Sequence, residues 1–195
     1  MRPSFWQAAR PREQLLDELG LEKGRRTVLI VGGGDGVGSL GDIVEATAQE
    51  LSKECPGDAQ VIAVCGKNAK LRSRLESKQW GDVHVQVRGF VKQMSDYMEI
   101  ADVMITKAGP GTIAEATIRG VPTMLSSFLP GQEAGNVPFV TENGAPPRPV
   151  RTVAPRPASP LLTLSTLSCR LRRVLEAAQD DCEDRSDMDS ESGAA

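Results

Sequence analysis

The sequence predicts an α/β domain on a doubly wound parallel sheet, and three observations carry the prediction. Five short strand-like runs alternate with four stretches of helical spacing. The first, second and fourth runs are almost unbroken in apolar residues, as parallel strands covered on both faces require. Glycine-rich turns stand where strands hand over to helices, at the carboxyl end of the sheet where such folds bind ligands.

The strands are expected at residues 27–31, 60–65, 83–88, 102–106 and 122–126, four of them bounded by glycine or proline. Helices are expected at 41–53, 68–79, 92–100 and 111–119. In the first of these, Ile43, Val44, Thr47 and Leu51 repeat at the spacing of one buried stripe. The third strand alternates, with His84 and Gln86 on the face opposite Val83, Val85 and Val87. His84 is the only histidine; that position reads as exposed and solvated, not as a general base.

Composition narrows the function. With 195 residues, 39% hydrophobic, the chain has room for one α/β domain with a proper core. A net charge of −3 and 4% aromatic residues argue against a nucleic-acid partner, which needs a cationic groove or stacking platforms. Cys55, Cys65, Cys169 and Cys182 form no CxxC pair, so free thiols are expected and no zinc site. No apolar run approaches the ~20 residues of a membrane span. Residues 1–12 carry three arginines and lack the features of a clear transit peptide, and residues 1–11 are expected to be disordered. Six of the thirteen prolines fall in residues 146–160, which read as a linker. Residues 161–179 return to amphipathic helical spacing, and 180–195 form an acidic tail expected to be disordered. Asp187-Met188-Asp189 in that tail has the form of a metal-binding DxD but no strand around it, and no metal site is assigned there.

The run Thr106-Lys107-Ala108-Gly109-Pro110-Gly111-Thr112-Ile113-Ala114-Glu115-Ala116 carries the most chemistry. It leaves a strand and opens a helix, so the first N–H groups of that helix lack intrahelical partners and face outward with a partial positive charge. Phosphate binds well at such a place. Pro110 suits the first helical position, and Gly109 and Gly111 keep side chains away from the anion. Thr112 and Glu115 share a helix face; a carboxylate there repels phosphate but can grip sugar hydroxyls. The combination asks for a sugar nucleotide. After the next strand, Leu129-Pro130-Gly131-Gln132-Glu133-Ala134-Gly135-Asn136 offers Gln132, Glu133 and Asn136 to a polyhydroxylated ligand. A GxGxxG string, Gly36 to Gly41, begins too far after its strand for a dinucleotide fingerprint, and no acid follows the second strand. No resident cofactor is expected.

Taken in order, Gly32-Gly33-Gly34-Asp35-Gly36-Val37-Gly38, Cys65-Gly66-Lys67-Asn68, Arg88-Gly89-Phe90-Val91 with Met94, the 106–116 run, Arg119-Gly120-Val121-Pro122 and the 129–136 loop make a specific series. It resembles the donor-binding half of the monogalactosyldiacylglycerol synthases, plastid enzymes that move galactose from UDP-galactose onto diacylglycerol. A looser likeness reaches the bacterial lipid-linked GlcNAc transferase. The resemblance implies a Rossmann-like C-terminal half of a family 28 GT-B glycosyltransferase over residues 12–145, with UDP-galactose as donor substrate. It implies that the Phe90–Val91 loop seats the uracil, that Met94 belongs to the nucleotide-sugar site and that Glu115 takes the ribose; for Phe90 and Met94 the core stays the other reading. Lys107 and Gly109 to Thr112, with Gly33 and Gly34, would lie near the diphosphate, and Gln132, Glu133 and Asn136 near the hexose. The catalytic base and the diacylglycerol-binding membrane surface would belong to an amino-terminal domain outside this chain, so no catalytic residue is assigned here. The implied setting is the chloroplast envelope, as a peripheral membrane protein. Two other readings stay open: the donor subunit of a split UDP-GlcNAc or UDP-hexose transferase, and a non-catalytic nucleotide-sugar-binding protein.

Overall fold

The computed structural model describes residues 3–32, 40–128 and 131–142, the side chains of Phe139, Thr141 and Glu142 excepted. Gly33 and Gly34, the GxGxxG string up to Ser39, and the expected linker, helix and tail beyond residue 145 lie outside the described residues.

Five parallel strands, β1 (Arg26–Val31), β2 (Ala59–Val64), β3 (His84–Arg88), β4 (Val103–Lys107) and β5 (Thr123–Ser127), form one sheet in the order β3-β2-β1-β4-β5. Six helices flank it: α1 (Arg12–Leu19), α2 (Leu40–Glu54), α3 (Ala69–Glu76), α4 (Met94–Glu99), α5 (Pro110–Arg119) and α6 (Asn136–Glu142). Each expected strand is present, shifted by no more than one residue at either end. The sheet builds outward from β1 through β2 to β3, then returns to the other side of β1 for β4 and β5.

Strand alternation divides the core into two layers. Val28 and Ile30 of β1 join Val61, Ala63, Val103 and Ile105 beneath Leu40, Val44, Ala48 and Leu51 of α2 and Leu75 of α3. Leu29 and Val31 face the other way, with Ile62, Val64 and Met104, into a cluster closed by α1, α4 and α5. These side chains are almost wholly removed from water, so the sheet is a rigid platform for the loops at its ends. Gly32 ends β1 where a Cβ would come within 2.6 Å of the Leu40 side chain, so the close seat of α2 requires glycine there. Gly120 closes α5 in the left-handed conformation, φ 64°, and its N–H returns to the helix carbonyls.

Three elements depart from the sequence expectation, an amino-terminal turn, α1 and α6. Within the amino-terminal stretch expected to be disordered, Pro3–Trp6 forms a 3-10 turn with Phe5 buried in the α4–α5 layer. The Arg119 guanidinium donates to the Ser4 carbonyl at 2.7 Å, pairs with Glu99 at 3.4 Å and lies 5.9 Å from the Phe5 ring. This clasp supplies the burial and charge pairing that composition alone does not reveal. The second is α1, an eight-residue helix in which only Leu15 and Leu16 are buried and Leu19 is partly covered, too short to read as a period. Its last carbonyl, Leu19, accepts from Gln86 at 2.8 Å and Arg88 at 3.0 Å, covering the polar face of β3. His84 on that face keeps 37% of its side chain exposed, in keeping with the sequence expectation, although its Nδ1 is enclosed 3.9 Å from the Glu22 carboxylate.

β5 carries an irregularity. Thr106 pairs with Leu125 but Lys107 pairs with Ser127, so Ser126 is an extra residue in β5, and its hydroxyl donates to the Thr106 carbonyl at 3.2 Å.

Candidate functional site

The strand order reverses between β1 and β4, which places a crevice at their carboxyl ends. The glycine-rich segment after β4 leaves the sheet at that crevice. Thr106 ties the two strand ends together through its hydroxyl, which donates to the Val31 carbonyl at 3.1 Å. The β4–α5 turn is held by backbone bonds, Ala108 N–H to Ser127 at 2.8 Å and Gly109 N–H to Lys107 at 2.7 Å.

Gly109 is the N-cap of α5, extended at φ −72° and ψ 125°, and no side chain caps the helix. Pro110 follows at the first helical position and has no N–H to offer. The first intrahelical bond runs from Ile113 N–H to the Gly109 carbonyl at 3.0 Å. Helix geometry leaves the N–H groups of Gly111 and Thr112 without intrahelical partners at the positive end of a ten-residue helix. A Cβ on Gly111 would meet nothing within 4 Å, so the space before the turn is open. Thr112 and Glu115 are half-buried one turn apart, while Ile113 and Ala116 anchor the opposite side of α5 in the core.

The loop after β5 lies against this turn. Glu133 is nearly buried, with 8% of its side chain exposed, and its Oε1 accepts from Lys107 Nζ at 2.8 Å. Asn136, the first residue of α6, donates through Nδ2 to the Ala108 carbonyl at 2.9 Å. Gln132 is exposed. Lys107 and Glu133, expected near phosphate and hexose respectively, are therefore bonded to each other. Sequence reading missed that pair because 26 residues separate its members and only the adjacency of β4 and β5 brings them together.

The third segment follows β3. Helices α4 and α5 pack side by side, joined at their carboxyl ends by Glu99 and Arg119, so their amino ends share the crevice edge. Phe90, just before α4, is 61% exposed there, unusual for so large an apolar side chain. Val91 packs partly on the α4–α5 layer. Met94 is 7% exposed and belongs to the core, because the first turn of α4 faces the sheet.

Two cysteines lie among the described residues. Cys55 and Cys65 are free thiols. Burial pushes the Cys65 thiol up from its ordinary range, with nearby Arg72 opposing the shift, so Cys65 is a poor nucleophile at neutral pH. No described helix is long and apolar enough to cross a membrane.

A reversal crevice, an open helix amino terminus and an amide-bearing loop beside it stand together at the carboxyl edge of a doubly wound parallel sheet. Residues 27–133 match the Glycosyltransferase family 28 C-terminal domain, and the chain belongs to that family. It is 48% identical over 146 residues to monogalactosyldiacylglycerol synthase 1, chloroplastic, of Arabidopsis thaliana. It is 49% identical over 146 residues to the probable monogalactosyldiacylglycerol synthase, chloroplastic, of Nicotiana tabacum. Each alignment covers 74% of this chain and 27% of the relative, so the chain spans little more than a quarter of their length. Among solved structures, MurG of Acinetobacter baumannii superposes with a TM-score of 0.59 at 22% identity, covering 88% of this chain and 49% of that one. That likeness shows the fold alone.

Proposed function

We propose that this chain is the donor-binding half of a galactolipid synthase, holding UDP-galactose for transfer of galactose to diacylglycerol. The observation that carries the reading is the uncapped amino terminus of α5 at the strand-order reversal, in a chain nearly half identical to galactolipid synthases.

In this reading the diphosphate lies on the N–H groups of Gly111 and Thr112. As the sugar–phosphate bond breaks, charge grows on the departing UDP, and fixed backbone dipoles meet it without reorganisation. Glu115 accepts hydrogen bonds from ribose hydroxyls, Phe90 offers its exposed ring to the uracil, and Gln132 reaches the hexose. Asn136 keeps Oδ1 as an acceptor toward the same crevice, its Nδ2 being committed to Ala108. The base that takes the acceptor proton and the surface that meets the lipid belong to the part of the relatives this chain does not span. The setting that follows is the chloroplast envelope, with the transferase resting on the membrane.

Gly111→Val tests the site. Its Cβ enters open space, so the fold should persist, while its methyl groups occupy the phosphate position. Calorimetry should show UDP binding weakened by about a hundredfold or more, with an unchanged thermal midpoint. Unchanged UDP affinity would remove the phosphate from this turn.

A further inference from the structure

We infer that Lys107 is a positioning residue for the loop that reads the sugar, acting through Glu133 and not through the donor phosphates. The inference rests on the donor-site reading above. A carboxylate with 8% of its side chain exposed is costly to hold without a cation, and Lys107 supplies one at 2.8 Å. Lys107 is the last residue of β4 and is paired in register with Ser127, so its backbone is fixed by the sheet. The pair borders the N-cap of α5: a Cβ on Gly109 would lie 3.7 Å from Glu133 Oε1 and 3.8 Å from Lys107 Cε.

A second tie, Asn136 Nδ2 to the Ala108 carbonyl at 2.9 Å, fastens the other end of the same segment. Residues 133–136 are thus docked on the β4–α5 connection at both ends, and exposed Gln132 projects from the docked edge. The Glu133 charge offsets that of Lys107, so the pair adds little net attraction for a diphosphate nearby. Anion binding then falls to the Gly111 and Thr112 N–H groups. Lys107 sets where Gln132 and Glu133 stand when the hexose arrives.

The full chain is titrated calorimetrically with UDP, UDP-galactose and inorganic pyrophosphate as wild type, Lys107→Met, Glu133→Gln and the double variant. Each single variant should cut the UDP-galactose preference over UDP about tenfold, and the double no further, since both remove one device. Pyrophosphate affinity should change by less than about threefold, a readout that a direct phosphate ligand would move most. Without ligand, Lys107→Met should lower the thermal midpoint by about 5 °C more than the double does, because it takes the cation from a nearly buried carboxylate. Parallel losses of all three ligands on Lys107→Met, persisting in the Glu133→Gln background, would overturn the inference and make Lys107 a phosphate ligand. Additive midpoints would overturn it as well. A wild-type chain that binds neither UDP nor UDP-galactose would take down the donor-site reading itself.

Discussion

The two edges of the sheet treat their polar groups in opposite ways. At the amino edge they are spent on one another. The Asp102 carboxylate accepts from the Thr27 N–H at 2.6 Å and from Arg12 at 3.0 Å, while the Asp102 N–H returns to the Thr27 carbonyl at 2.9 Å. Gln60 accepts from the Glu22 N–H at 3.0 Å and donates to the Glu22 carbonyl at 2.9 Å and the Thr27 hydroxyl at 3.1 Å. At the carboxyl edge α5 begins without a side-chain cap, Gly111 fronts open space and Phe90 is left 61% exposed. Buried polar groups that satisfy each other lock a fold; groups left pointing outward from a rigid frame are available to a ligand. The same sheet does both because its two ends carry different loops.

Substitutions on each side put that contrast at risk. The largest effect is expected from Asp102→Ala, which strips an acceptor from a strand N–H and a partner from Arg12. It should cost about 3 kcal/mol of unfolding free energy by denaturant titration, with UDP affinity unchanged in the folded protein. If UDP affinity fell in step, the two edges would be coupled and the division of labour lost. Glu115→Gln comes next. It should weaken UDP by about 2 kcal/mol while sparing inorganic pyrophosphate, since charge-assisted bonds to ribose are lost and phosphate contacts are not. Equal losses for both ligands would take Glu115 away from the ribose. The smallest effect is expected from Phe90→Ala, about 1 kcal/mol in UDP affinity with no shift in thermal midpoint. A drop in stability instead would show that the ring supports the fold.

Most of the architecture was legible because periodicity reports burial, and here burial is nearly complete in the inner strands. Val28 to Val31 and Val61 to Val64 could be placed from their letters alone. Helix α1 escaped because Leu15 and Leu16 are its only buried side chains. Helix α6 escaped because Pro138 lies inside it and Gly135 just before it, residues that argue for a loop. The uncapped turn before α5 was visible as a local pattern of strand, glycine, proline and helix. The fate of Phe90 and Met94 was not, since four residues of loop and helix start decide which of two apolar side chains turns inward. The Lys107–Glu133 pair needed the order of strands, which no local window contains.

The extra residue in β5 acts as a parity device. Up to Leu125 the strand marches in step with β4, and each residue's face is settled by counting in twos. Ser126 breaks the count once, so everything downstream inherits the opposite phase. The side chain brought opposite Lys107 thus depends on an odd number in a strand as well as on the letters of the sequence.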